Sequence, residues 1–116
     1  MQTVADSYQR AAVLPVQQQI EFDLYSGADE RRCGEVECVA KAGEQYWLTI
    51  PRLNGNIGVY CNGELIATSH RFPSLYRFLM PFSVRLSGLR EGANDVRIEP
   101  LGEMSAQRVS VQIRQE

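Results

Sequence analysis

Acid–base, nucleophilic and metal chemistry all draw on histidine, cysteine and paired carboxylates, and here these residues are few and scattered. The one histidine, His70, lies in the polar stretch SHRFPSLY, with no nucleophile elbow or metal-ligand partner beside it. It reads as a solvated surface residue, and the chain as a non-enzyme. Glu21 with Asp23, and Glu35 with Glu37, are two positions apart. On a strand that spacing puts both members on one face, and the apolar residues between them make it the solvated one. Cys33, Cys38 and Cys61 form no CxxC and no cluster with histidine, so no zinc site is expected. Asn54-Gly55-Asn56 offers amide and carbonyl oxygens but no carboxylate, which calcium sites usually include. A tight turn is the better reading, and neither a metal nor a cofactor is expected.

Recognition chemistry has better material. By strand parity Trp47 lies opposite Tyr46, Leu48 and Ile50. It either fills the core of a second sheet or stands partly exposed, as sugar-stacking aromatics do. The segments 52–56 and 70–77 combine arginine, asparagine, histidine and aromatics, whereas the other connections are small and acidic. Where they approach, Trp47, Arg52, Asn54, Asn56, His70, Arg71, Tyr76 and Arg77 are the candidate ligand-binding residues. Arg52 is the expected anchor, able to hold a carboxylate or paired hydroxyls in two-pronged geometry. The competing possibility is that Arg52 only braces its own loop and the surface docks another protein domain.

The totals bound the setting. At 116 residues the chain has room for one core, expected over 16–116 behind a lead-in over 1–15. Hydrophobic content of 44% with 22% charge is ordinary for a folded globular chain. A net charge of −2 with dispersed arginines argues against nucleic acid, which needs a concentrated basic surface. No run reaches the roughly 18–20 apolar residues of a membrane span. Residues 1–19 carry neither a basic n-region nor an unbroken apolar h-region, so the expectation is either a cytoplasmic protein or a segment of a longer chain.

The elements that would position these residues are strands. The strongest signal is Asn62-Gly63 between the apolar runs 57–61 and 64–68, a two-residue type I′ hairpin in which both turn residues need positive φ. Residues 1–10 are polar and expected to be loosely tied down, and 11–14 fit a short strand or one helical turn before Pro15. Ile20, Phe22 and Leu24 alternate with acidic residues, and 35–40, 46–50, 78–86, 96–98 and 109–113 repeat the pattern. Pro81 places the 78–86 strand at an edge or over a bulge. Outward positions of the last strand are Arg108, Ser110, Gln112 and Arg114. No segment keeps a helical period. The expectation is an all-β antiparallel sandwich with one solvated face per sheet. On a continuous strand Cys33 and Cys38 would sit about 17 Å apart on opposite faces, so they form a disulfide only if Gly34 and its neighbours turn. Cys61 reads as a small core residue.

VYCNGELIATS followed by PFSVRLSGLREGANDVRIE is similar to the galactose-binding-like jelly roll. Asn62 and Gly63 match its turn, and Leu89, Gly92 and Asn94 match its Leu-x-x-Gly-x-Asn motif as fold-forming residues. Ile50, Pro51 and Arg52 resemble a segment of the extracytoplasmic sensory domains of bacterial membrane receptors. The resemblance implies a non-enzymatic periplasmic sensor domain that binds a carbohydrate or small carboxylate. The alternatives are an accessory sugar-binding or structural domain of a glycoside hydrolase, or a protein-interaction module making domain–domain or homodimer contacts.

Overall fold

The computed structural model describes residues 5–13, 18–69 and 81–115. Nine strands follow in order: β1 Ala5–Val13, β2 Gln18–Ser26, β3 Glu30–Ala40, β4 Tyr46–Ile50, β5 Asn56–Cys61, β6 Glu64–Thr68, β7 Phe82–Arg85, β8 Gly92–Leu101 and β9 Met104–Gln115. The chain is all-β, as the alternation of apolar and polar residues predicts. One hydrogen-bonded sheet runs β6-β5-β8-β3-β2-β9-β4-β7, with β1 added parallel to β3. Every other pairing is antiparallel. The sheet wraps into a nearly closed, sandwich-like body, leaving β6 and β7 as its two ends.

Strand parity builds the core. Phe22, Leu24, Val36, Cys38, Tyr46, Leu48, Ile50, Ile57, Val59, Val96, Ile98, Val109, Val111 and Ile113 all point inward and are buried. Burying such side chains stabilises by about 1.5–3 kcal/mol each before conformational entropy is set against it. Many of their neighbours along the strands, among them Glu21, Asp23, Glu37, Thr49, Arg108 and Gln112, are polar and less buried. Gly34 is the exception that fits this face. A Cβ there would lie 2.7 Å from the Phe22 ring, so a bare backbone is what allows Phe22 to lie across β3.

The possibility that Gly34 turns the chain to pair Cys33 with Cys38 is corrected by the same strand. β3 runs unbroken through both residues, and both are free, buried thiols. Of the segment expected to be loosely tied over 1–10, residues 1–4 lie outside the described residues; over 5–10 the expectation is corrected, because β1 pairs with β3 from Ala5↔Glu30 to Val13↔Cys38. Of the strand expected over 78–86, residues 78–80 lie outside the described residues. Of the remainder, Phe82–Arg85 forms β7, at the end of the sheet, with exposed Pro81 immediately before it and buried Leu86 immediately after.

The hairpin turn is as tight as its residues allow. Asn62 has φ 51° and Gly63 φ 85°, the positive pair of a type I′ turn, and Cys61 pairs with Glu64 across it. Asn62 also ties the turn to β8. Its backbone N–H donates to the Asp95 carbonyl at 2.7 Å, and its Oδ1 accepts from the Asp95 N–H at 2.9 Å.

Candidate protein-docking face

Three strands at one end of the sheet bring together side chains far apart in the chain. Trp47 of β4 pairs with Arg85 of β7 on one side and with Arg114 of β9 on the other. Cross-strand partners share a face with their Cβ atoms roughly 5 Å apart, so the register makes one row, Arg85–Trp47–Arg114. Two residues further along β4, Thr49 pairs with Ser83 and Gln112, and the Thr49 and Ser83 hydroxyls hydrogen-bond at 3.0 Å. Arg85 and Arg114 are exposed and Trp47 is half-buried. Trp47 belongs to the outer face, not to the core cluster. These six positions hold two guanidiniums, one large aromatic and three neutral polar groups, and no carboxylate.

The neighbouring Thr49–Ser83 pair borders a recess. Between β6 and β7 lies a recess of about 390 Å³ lined by Leu65, Ile66, Ala67, Thr68, Phe82, Ser83 and Val84. Ser83 belongs to both the recess and the outer face. Leu65 on the opposite rim is 49% exposed, one of two large apolar side chains left open among the described residues. Trp and Arg are residue types that carry binding energy at protein interfaces.

The other clusters serve the fold. Arg31 makes a two-pronged pair with Asp6 at 2.8 and 2.9 Å and reaches Glu99 at 2.9 Å. The Tyr8 hydroxyl donates to Glu99 at 3.3 Å, and the Arg97 guanidinium lies 5.1 Å from the centre of the Tyr8 ring. Together they fasten β1 across β3 and β8. The hydrogen bond from Arg31 holds the Asp6 carboxyl below its ordinary value, and the same bond raises Arg31. Burial pushes the Cys33 thiol, opposite Tyr8 on β3, up to about 11, and the Cys38 thiol likewise to about 11. Protonated thiols are poor nucleophiles and poor metal ligands. Among the described residues no group of three or more His, Cys, Asp or Glu could hold a metal ion.

The residues expected to bind ligand are placed as follows. Arg52 is exposed in the loop after β4. Asn54 is exposed and clasped through its backbone, its N–H donating to Gln107 Oε1 at 3.2 Å and its carbonyl accepting from Gln107 Nε2. Asn56 opens β5 opposite Leu101, with a buried Oδ1 that accepts no hydrogen bond within the described structure. His70, Arg71, Tyr76 and Arg77 lie outside the described residues, and with them the approach of the two loops. Arg85 and Arg114 were not candidates on sequence. Their outward parity was readable, but their meeting at Trp47 depends on which strands pair.

No family model and no curated protein matches this chain. Among solved structures it is similar to PliG of Aeromonas hydrophila, a periplasmic lysozyme inhibitor of g-type lysozyme. The likeness has a TM-score of 0.58 at 16% sequence identity and covers 97% of this chain and 100% of that one. At that identity the likeness is one of fold. It corrects the resemblance to the galactose-binding-like jelly roll, and with it the sensor-domain function that the resemblance implied. The physical reason lies in what the motif residues do. Asn94 accepts from the Arg90 N–H and from Asn62 Nδ2, and donates to the carbonyls of Cys38, Arg90 and Gly92. Gly92 has φ 95°, and Leu89 packs against the core. This is a local clamp on a turn, and turn chemistry of that kind fits more than one order of strands. No helix of the described residues is long and apolar enough to cross a membrane.

Proposed function

We propose that this chain is a non-enzymatic protein-binding module that inhibits an enzyme by occupying its surface, with a g-type lysozyme as the first partner to test. The observation that carries the reading is the fold likeness, end to end on both chains, to a protein whose described role is inhibition of that enzyme. The outer face supports it with a Trp–Arg row, and the neighbouring Thr49–Ser83 pair borders a recess. In this reading the chain acts as one folded unit in the periplasm, and Arg52, Asn54 and Asn56 border the contact surface instead of a small-molecule site.

The test is the clearing of a cell-wall suspension by a g-type lysozyme, with and without the chain, beside a lysozyme of another type. A slowed rate that saturates near one chain per enzyme is expected. Unchanged clearing at several-fold molar excess over either lysozyme counts against the inhibitor reading.

A further inference from the structure

We propose that a stripe of Leu65, Tyr60, Arg97 and Tyr8 docks a protein surface rich in lysine and arginine; the proposal rests on the protein-binding reading and adds a contact away from Trp47. Exposed apolar surface is the first argument. Tyr8 and Leu65, the two large apolar side chains left open among the described residues, are 36% and 49% exposed. The strand register puts both on one outer face. Tyr60 pairs with Leu65 on one side and with Arg97 on the other, and the Arg97 guanidinium lies 5.1 Å from the centre of the Tyr8 ring. Gly58 makes the stripe continuous. A Cβ there would lie 3.1 Å from the Tyr60 ring and 3.2 Å from Leu65, so the bare backbone lets both close over it. From β6 through β5, β8 and β3 to β1, the stripe crosses roughly 19 Å of hydrogen-bonded sheet. That span suits the centre of an interface of about 800 Å² per partner, where tyrosine and arginine carry much of the binding energy.

Charge selects the partner. By register this face carries five acidic positions, Asp6, Glu35, Glu37, Asp95 and Glu99, against three basic ones, Arg10, Arg31 and Arg97. The face that holds Trp47 has the opposite balance, with Glu21 and Asp23 against Arg85, Arg108 and Arg114. An acidic face around an apolar stripe attracts a cationic surface and is repelled by an anionic one. An oligosaccharide fits the stripe less well. Sugars stack on open ring faces, but the Arg97 guanidinium already covers one face of Tyr8, and Leu65 offers no ring.

The full chain is titrated calorimetrically with a lysine–tyrosine copolymer, and in parallel with a chitin oligosaccharide. Saturable binding of the copolymer is expected, weakened by added salt. Glu37→Lys and Glu103→Lys change the net charge equally, but Glu37 is on this face and Glu103 is in the turn between β8 and β9. Glu37→Lys should weaken binding at least fivefold more than Glu103→Lys. Leu65→Ser, with no change of charge, should weaken it at least threefold. If Glu37→Lys loses its melting transition, Glu37→Gln and Glu103→Gln take the place of the pair, with a difference of at least twofold expected. Absent binding, equal weakening by the paired variants, an unaffected Leu65→Ser, or tighter binding of the oligosaccharide overturns the proposal. Binding to g-type lysozyme, measured on the same proteins, separates the two claims. Copolymer binding that depends on Glu37 and Leu65, without lysozyme binding, supports the stripe and removes that partner. Lysozyme binding that is undiminished in Glu37→Lys and Leu65→Ser keeps the partner and overturns the stripe.

Discussion

Replacing Asn94 with alanine removes a side chain that is 2% exposed and holds three separate segments together. Its Oδ1 accepts from the Arg90 N–H at 2.7 Å and from Asn62 Nδ2 at 3.0 Å. Its Nδ2 donates to the carbonyls of Arg90 at 2.8 Å, Gly92 at 2.9 Å and Cys38 at 3.2 Å. A typical hydrogen bond contributes about 0.5–1.5 kcal/mol net, and a buried partner left unsatisfied costs about 1–3 kcal/mol. Only the bond to Cys38 is fully buried; the partners of the other four can recover water. The sum is therefore well below five full contributions, at roughly 2–4 kcal/mol. With a urea m-value of about 1–3 kcal/mol/M, the midpoint should fall by about 1–2 M. Asn94→Asp should be at least as damaging, because a carboxylate oxygen would replace the amide donor that faces three carbonyls. Urea melts followed by Trp47 emission measure both variants. A loss under about 1 kcal/mol for Asn94→Ala would refute the reasoning, since water would then be replacing the whole clamp.

Gly34→Ala should destabilise by about 1–3 kcal/mol through overpacking, because its Cβ would meet the Phe22 ring at 2.7 Å; an unchanged thermal midpoint would mean that Phe22 moves aside freely. Arg31→Ala should cost about 1–2 kcal/mol, since Asp6 and the nearly buried Glu99 both lose their cation; equal urea midpoints would show that these contacts do not fasten β1. Asp6→Asn should show a pH-dependent deficit. The folded-state value of Asp6 lies below its unfolded value, so its contribution is present above about pH 4 and is lost as the pH falls through that range. The gap between wild type and variant, about 0.5–1 kcal/mol at neutral pH, should close on acidification, and a gap that widens would reverse the sign of the argument.

What could be read from the sequence was whatever one segment decides alone. Ile20-Phe22-Leu24, Tyr46-Leu48-Ile50 and Val109-Val111-Ile113 announce strands and their inward faces through alternation, and the core uses those faces. Asn62-Gly63 announces its turn because few other pairs tolerate positive φ twice running. Whatever needed pairing information was not legible. Asp6 and Tyr8 look like a polar tail until Arg31, Arg97 and Glu99 are seen beside them. Gly34 looks like a turn residue until Phe22 lies across it. The Leu89-Gly92-Asn94 motif suggested the wrong family for the same reason, since it specifies a turn and not an order of strands. Of the candidate site, Trp47 was recognisable as outward-facing by parity, while its arginine neighbours follow from β4 lying between β7 and β9.

The central proposal is that this chain works by binding a g-type lysozyme. Isothermal titration of the chain into a g-type lysozyme, with size-exclusion chromatography of the mixture, measures that contact without reference to cell walls or turnover. A saturable complex of one chain per enzyme is the predicted result. No heat and no shifted peak at about 10 μM of each protein, where any affinity better than about −7 kcal/mol would register, would contradict it.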